Sequence, residues 1–202
     1  MSRQQKLLLL KKCAFSLILL ALLIVTRCAP VEKRVDLTYG SSVKATGGSG
    51  EVLVAQPVMK QNLEVLPSGR QIIGKSGDID IVIGENPANW LLSALKLELS
   101  AAGYDVKTVP TLPAGVSKGI NTIFLTLSAN QSSKVLTIVT TTDVKLEVQL
   151  WTNGQLAKTL TVSAQDYEEG ADRSSEPIRL ALEKTLNRVM QELLPDIIKG
   201  LQ

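Results

Sequence analysis

The chain has 202 residues, with 22 lysines and arginines, 19 aspartates and glutamates, two cysteines and no histidine. The lack of histidine excludes a Ser-His-Asp or Cys-His hydrolase, and only Cys13 and Cys28 could supply thiols to a disulfide or a metal. Five of the cations precede Cys28, so the remainder carries 17 basic and 19 acidic groups, a balance that argues against nucleic-acid binding.

The first 27 residues have the pattern of a lipoprotein-type signal peptide. A basic start is followed by an apolar run from Cys13 to Val25, shorter than the roughly 20 residues that span a bilayer. Cys28, just after this run, resembles the lipobox cysteine of bacterial lipoproteins, which becomes the acylated mature N-terminus. Arg27 departs from the Gly, Ala or Ser usual before that cysteine, so an uncleaved signal anchor is the alternative.

Two regions follow the signal peptide. Residues 28–50 contain mixed charges and the sequence Gly47-Gly48-Ser49-Gly50, which predicts a lipid-anchored flexible linker. Residues 51–202 are long enough for a single folded domain.

The domain alternates strand patterns with two helix patterns. Asn86 and Pro87 are a favourable helix start and Gly103 a favourable end, and Ser174 precedes a second helix that contains Pro195. Strands are predicted at 51–58, 70–75, 78–83, 104–109, 121–129, 135–151 and 155–164. This order predicts an α+β domain, with two main helices packed on one face of a largely antiparallel sheet.

The hairpin around Asn153-Gly154 places one tryptophan on an outer face. A three-residue loop pairs Leu150 with Leu156 and keeps the apolar residues of both strands on one face, which leaves Trp151 on the polar face. Tryptophan is enriched in interface hot spots, so Trp151 is a candidate partner contact, and Tyr167 is a second one. The alternative is that Trp151 folds over a neighbouring side chain.

One segment matches a nucleotide-binding pattern. The eight residues from Gly69 to Ser76 satisfy GxxxxGK[ST], but a phosphate-binding loop needs a helix after it. Here a strand pattern follows, and Ile72-Ile73 favours extended structure. We therefore interpret this segment as a β-hairpin and expect no nucleotide binding.

Two acidic groups could suggest a metal site. Asp78 and Asp80 alternate with isoleucines, which indicates the solvated face of a strand. The acidic segment 166–172 lacks the spacing of an EF-hand loop and is predicted to be a solvated loop. We expect no metal and no other cofactor.

The order of elements resembles the YajG-like small lipoproteins of Gram-negative bacteria. The resemblance rests on the first strand after Gly50, on 91–106, on 145–163 and on the closing helix. It implies a lipid-anchored periplasmic domain without established catalytic residues. Ala29 after the cysteine looks like an outer-membrane sorting signal, whereas an uncleaved anchor would leave the protein in the inner membrane.

Two functions fit these features. The first is a non-enzymatic envelope lipoprotein that binds another envelope protein or its own copies. The alternative is an auxiliary lipoprotein of a lipid or small-molecule transport system, which holds an apolar ligand between helices and sheet.

Overall fold

A computed structural model describes residues 32–41 and 43–202, so the signal peptide and Cys28 lie outside the described residues. The two helices are α1 (Pro87–Ala102) and α2 (Glu176–Leu201). The strands are β1 (Lys33–Val35), β2 (Glu51–Ala55), β3 (Val58–Met59), β4 (Glu64–Val65), β5 (Gln71–Ser76), β6 (Ile79–Ile83), β7 (Asp105–Val109), β8 (Lys118–Ser133), β9 (Ile138–Thr152) and β10 (Gln155–Gly170).

The sheet is mixed, so the prediction of a largely antiparallel sheet is wrong. The long strands β8, β9 and β10 form an antiparallel meander. On its other edge β8 pairs in parallel with β2, β3 and β5, and β1–β6 and β2–β7 are also parallel. Parallel neighbours need a long crossover connection, and α1 lies in the one between β2 and β7. The sequence-based prediction considered pairing only between strands that are consecutive in the chain, and such pairs are antiparallel.

The core lies between the two helices and one face of this sheet. Alternate residues of β9, from Val144 to Leu150, are fully buried, and a side chain on Gly200 of α2 would meet Leu150. The intervening Lys145, Glu147 and Gln149 belong to the opposite, polar face. The predicted helix signals of α1 are confirmed, because the Asn86 side chain accepts a hydrogen bond from the Ala88 amide and Gly103 is left-handed.

The segment before β2 packs on the domain from residue 33 onward. Strand β1 pairs with β6, and Val35 and Leu37 are buried. The Tyr39 hydroxyl donates to Glu98 Oε1 at 2.5 Å, and Trp90 Nε1 donates to the Thr38 carbonyl at 2.8 Å. This stretch therefore differs from the flexible linker expected over 28–50, because apolar residues at every second position bury one side of it.

The β9–β10 hairpin turns in two residues. Asn153 and Gly154 have φ of 50° and 75°, as in a type I′ turn. The predicted pairing of Leu150 with Leu156 is wrong, since Leu156 pairs with Trp151 and Leu150 with Lys158. The register shifts between the two pairs at a bulge, and this extra residue returns the apolar positions of β10 to the helix side.

Candidate functional site

A groove of about 510 Å³ lies on the outer side of the sheet, at the end where β9 turns into β10. We call it the Trp151 groove. Its walls come from the end of β2, from the loop 110–117 between β7 and β8, and from the hairpin turn. The lining residues are mostly small, apolar or proline, and they include Ala55, Val58, Pro110, Leu112, Pro113 and Trp151.

Two glycines allow the loop 110–117 to lie against the hairpin. A Cβ on Gly119 would come within 3.0 Å of the Leu112 side chain, and one on Gly154 within 2.8 Å of Gly115 Cα. The turn amides fix the loop: Asn153 N–H donates to the Ser117 carbonyl at 3.0 Å, and Gly154 N–H donates to the Val116 carbonyl at 2.8 Å. The groove is therefore held by backbone contacts rather than by long flexible side chains.

Trp151 forms one wall of the groove. It pairs with Gly119 of β8, so its ring shares the outer face with the side chains that cover that glycine. Its Nε1 is buried and has no hydrogen-bond partner within 32–41 and 43–202. A buried indole N–H normally finds an acceptor, but this one has almost no accessible surface, so the groove presents the apolar indole ring rather than a hydrogen-bond donor. This arrangement suits an apolar ligand.

Tyr167 lies in a different cluster. Its hydroxyl accepts a hydrogen bond from Lys134 Nζ at 3.0 Å and donates to Glu169 Oε2 at 3.1 Å. The Thr137 hydroxyl donates to the other oxygen of Glu169. These bonds, the one from Thr137 first, and the Lys134 charge lower the pKa of Glu169. Lys134, Thr137, Tyr167 and Glu169 thus form one hydrogen-bonded cluster beside the turn between β8 and β9.

The structure does not bring the two predicted contact residues together. Tyr167 pairs with Thr141, which lies ten residues before Trp151 on β9. At the usual rise of a strand, the two positions are about 33 Å apart. Trp151 and Tyr167 therefore belong to opposite ends of the domain and cannot serve one small ligand.

The acidic segment that was predicted to be a loop is part of β10, up to Gly170, so this prediction is wrong. Asp166 faces the helix layer with its side chain only 3% exposed, where Arg188 lies 3.2 Å from Oδ1. Lys184 Nζ lies 3.1 Å from Oδ2, although without the angles of a hydrogen bond. The hydrogen bond to Glu168 and the nearby Asp166 carboxylate raise the pKa of Lys184. In the described part of the chain no group of acidic side chains has the arrangement of a metal site.

The P-loop match forms a β-hairpin, as its isoleucines predicted. Residues 71–76 are β5, which pairs antiparallel with β6, and no helix begins between them. A Cβ on Gly74 would overlap the Ala129 carbonyl oxygen of β8 and lie 2.7 Å from its carbon. The close approach of two backbones explains this glycine without a phosphate.

No family model matches the chain, and no curated protein matches it. The fold, however, is that of a known bacterial protein. Protein XCC0632 from Xanthomonas campestris, of the family model DUF330, superposes with a TM-score of 0.57 at 12% identity, over 83% of this chain and 96% of that one. An identity this low shows the fold alone.

More distant solved structures include a hemagglutinin homologue and a lipoprotein, both from bacteria. A neuraminyllactose-binding hemagglutinin homologue from Helicobacter pylori gives a TM-score of 0.42 at 13% identity, over 83% of this chain and 92% of that one. Lipoprotein GNA1162 from Neisseria meningitidis gives 0.35 at 14% identity, over 70% and 98%. These scores are too low to carry an argument about this chain.

Among the described residues, neither helix is both long and apolar enough to cross a bilayer.

Proposed function

We propose that this protein is a YajG-like lipoprotein of the bacterial cell envelope that works as a non-enzymatic protein-binding module. The Trp151 groove is the observation that carries the proposal. The leader with Cys28 and the fold shared with a bacterial DUF330 protein support it. The proposed activity needs no nucleotide, metal or nucleic acid.

The groove fits a short extended segment of another protein. Its walls of leucine, proline and alanine, together with the indole of Trp151, would bury apolar side chains of the partner. Tryptophan in such a position is a common interface hot spot, whose removal typically costs about 2 kcal/mol or more of binding free energy. That loss corresponds to roughly a 30-fold weaker complex.

Crosslinking in whole cells followed by purification of the tagged protein tests this function. Wild type should capture a discrete envelope protein or a second copy of itself, and Trp151→Ala should lose it. Leu180→Ala is the matched control, because Leu180 is an exposed apolar residue on the opposite, helical side. Equal capture by all three proteins would refute the role of the groove.

A second function uses the same groove. The auxiliary-lipoprotein alternative requires an apolar small ligand, and about 510 Å³ lies within the range of roughly 300–1,000 Å³ usual for ligand sites. The expected place between helices and sheet is instead filled by buried side chains such as Leu146, Leu186 and Val189. Native mass spectrometry of the purified protein decides: a bound lipid-sized mass lost in Trp151→Ala supports transport, and a ligand-free species supports protein binding.

The anchor is proposed at Cys28, with palmitate or a similar acyl chain and with the outer membrane as its destination. Ala29 at the next position supports that destination, and the inner membrane by an uncleaved signal anchor is the alternative. Metabolic labelling with a palmitate analogue, compared with Cys28→Ser, tests the acylation. A wild type without label would favour the uncleaved anchor.

A further inference from the structure

The β8–β9 hairpin ends in an exposed apolar tip formed by residues 134–137. Val135 is 99% exposed and Leu136 is 88% exposed, and among the described residues the next most exposed large apolar side chain is Val65 at 58%. Single exposed apolar residues are ordinary, but two adjacent ones at the end of a long hairpin form a small protruding apolar surface.

The residues around this tip are of the kinds found at membrane interfaces. Tyr167 is half exposed beside it, and Lys134 Nζ lies 5.7 Å from the centre of its ring. Tyrosine rings sit at the level of lipid headgroups, and lysine side chains reach from apolar surroundings to the polar boundary. The Glu169 carboxylate would be costly to bring near acyl chains, but it accepts hydrogen bonds from the hydroxyls of Thr137 and Tyr167.

The chain enters the domain beside the same tip. Lys33 Nζ donates to the Arg173 carbonyl at 2.5 Å and to the side chain of Gln131, which precedes Lys134 by three residues. Cys28 precedes Lys33 by five residues, and five residues of extended chain reach at most about 18 Å. An acyl chain on Cys28 would therefore keep this end of the domain close to the bilayer.

We infer that residues 134–137 insert into the headgroup region of the membrane that holds the anchor, with Val135 and Leu136 in contact with acyl chains. The inference rests on the proposed acylation of Cys28. The tip gives the domain a second attachment point, and the Trp151 groove at the other end of β9 then points away from the lipid. The domain is thereby oriented toward partners rather than free to rotate on its anchor.

The charges near the tip predict the lipid preference. Lys33, Lys134 and Arg173 are cations beside it, and Glu169 and Asp172 are acids. Because three cations face two acids, the net charge is small, so the contact depends mainly on apolar insertion and the fraction of anionic lipid should change it little.

Quenching of an added tryptophan tests the inference. The full-length chain with Leu136→Trp is reconstituted into vesicles of phosphatidylethanolamine and phosphatidylglycerol whose acyl chains carry bromine. We expect bromine to reduce the emission of the added indole about twofold, as for a side chain at the boundary of headgroups and acyl chains. The matched control is Leu180→Trp, at an exposed position on α2, which should keep its emission.

The outcomes separate this inference from the proposed anchor. Vesicle sedimentation of wild type and Cys28→Ser reports the anchor, whereas quenching reports the tip. Sedimentation without quenching at residue 136 overturns the insertion and leaves the anchor in place. If the wild-type protein does not sediment with the vesicles, both the anchor and the insertion of the tip are refuted. The double variant Val135→Ser/Leu136→Ser could also lose a protein that wild type captures by crosslinking. If it does, and if Leu136→Trp shows no quenching, the tip contacts a protein rather than lipid and the inference is overturned.

Discussion

Gly74 should be intolerant of any side chain, although it lies in a surface hairpin and matches a phosphate-binding pattern. A Cβ at this position would lie 2.7 Å from the Ala129 carbonyl carbon and closer still to its oxygen. Ordinary contacts between non-bonded heavy atoms are about 3.5–4.0 Å, and the carbonyl oxygen is the nearer obstacle, so β5 and β8 would have to separate by well over ~1 Å. The obstacle is backbone, which cannot rotate away as a side chain would.

We expect Gly74→Ala to destabilise the protein by about 3 kcal/mol, at the upper end of the usual cost of overpacking. For a domain of this size, that loss lowers Tm by roughly 6–12 °C. Urea unfolding followed by circular dichroism measures it. Gly170→Ala is the matched control, because a Cβ there meets nothing within 4 Å, and it should be neutral. If both variants unfold at the same urea concentration, the close approach of β5 to β8 is refuted.

Three further predictions concern stability. Burial, and then the hydrogen bond to Glu98, raise the pKa of Tyr39 in the folded protein. The phenol of an unfolded chain has a pKa of about 10, so the free energy of unfolding that Tyr39 contributes is fully present below that pH and is lost as the pH rises above it. Urea unfolding at pH 8 and 10.5 should therefore show a smaller alkaline loss in Tyr39→Phe than in wild type, and equal losses would contradict this. Asp166→Asn should lower the free energy of unfolding by about 2 kcal/mol, which is less than the full cost of breaking a buried ion pair because Lys184 and Arg188 are half exposed. The control Asp105→Asn removes an exposed ion pair and should lower the free energy of unfolding by less than about 0.5 kcal/mol. Gly154→Ala should cost about 1–2 kcal/mol by thermal unfolding, because φ is 75° and Gly115 lies in the way, and an unchanged Tm would contradict the packing of loop 110–117 on the turn.

Local signals predicted the local structure well. The cap residues Asn86 and Gly103 located α1, and the alternation of apolar residues located β8 and β9. The extended nature of Ile72-Ile73 was enough to recognise a hairpin within a nucleotide-binding pattern. These features depend on neighbours in the chain, which a sequence displays directly.

Features that depend on distant residues were not predicted. The parallel edge of β8 joins strands separated by up to 66 residues, such as Leu53 with Gly119, and nothing local marks such a pair. The bulge at Ala157 changed the hairpin pairing but kept its apolar face, so alternation alone could not distinguish the two registers. Strand β1 was missed because Val35 and Leu37 are spaced among charges that suggested a linker.

The candidate sites likewise divide into features that depend on neighbouring residues and features that depend on distant ones. Trp151 was identified from its polar face, but its groove requires loop 110–117, which sequence reasoning treated only as a connection. Val135 and Leu136 were assigned to a strand, so the exposed tip was missed. The signal available was the charged and polar sequence on both sides, Ser133-Lys134 and Thr137, which is typical of a turn.

The central claim is that the Trp151 groove contacts a protein in the envelope, and photo-crosslinking from inside the groove tests it most directly. A photoreactive phenylalanine analogue replaces Ala114, an exposed residue of the groove wall, and in a second strain it replaces Ser163, exposed on β10 outside the groove. We predict a discrete protein adduct from position 114 that disappears with Trp151→Ala and is absent from position 163. The same adducts from both positions, or none from 114, would contradict the claim.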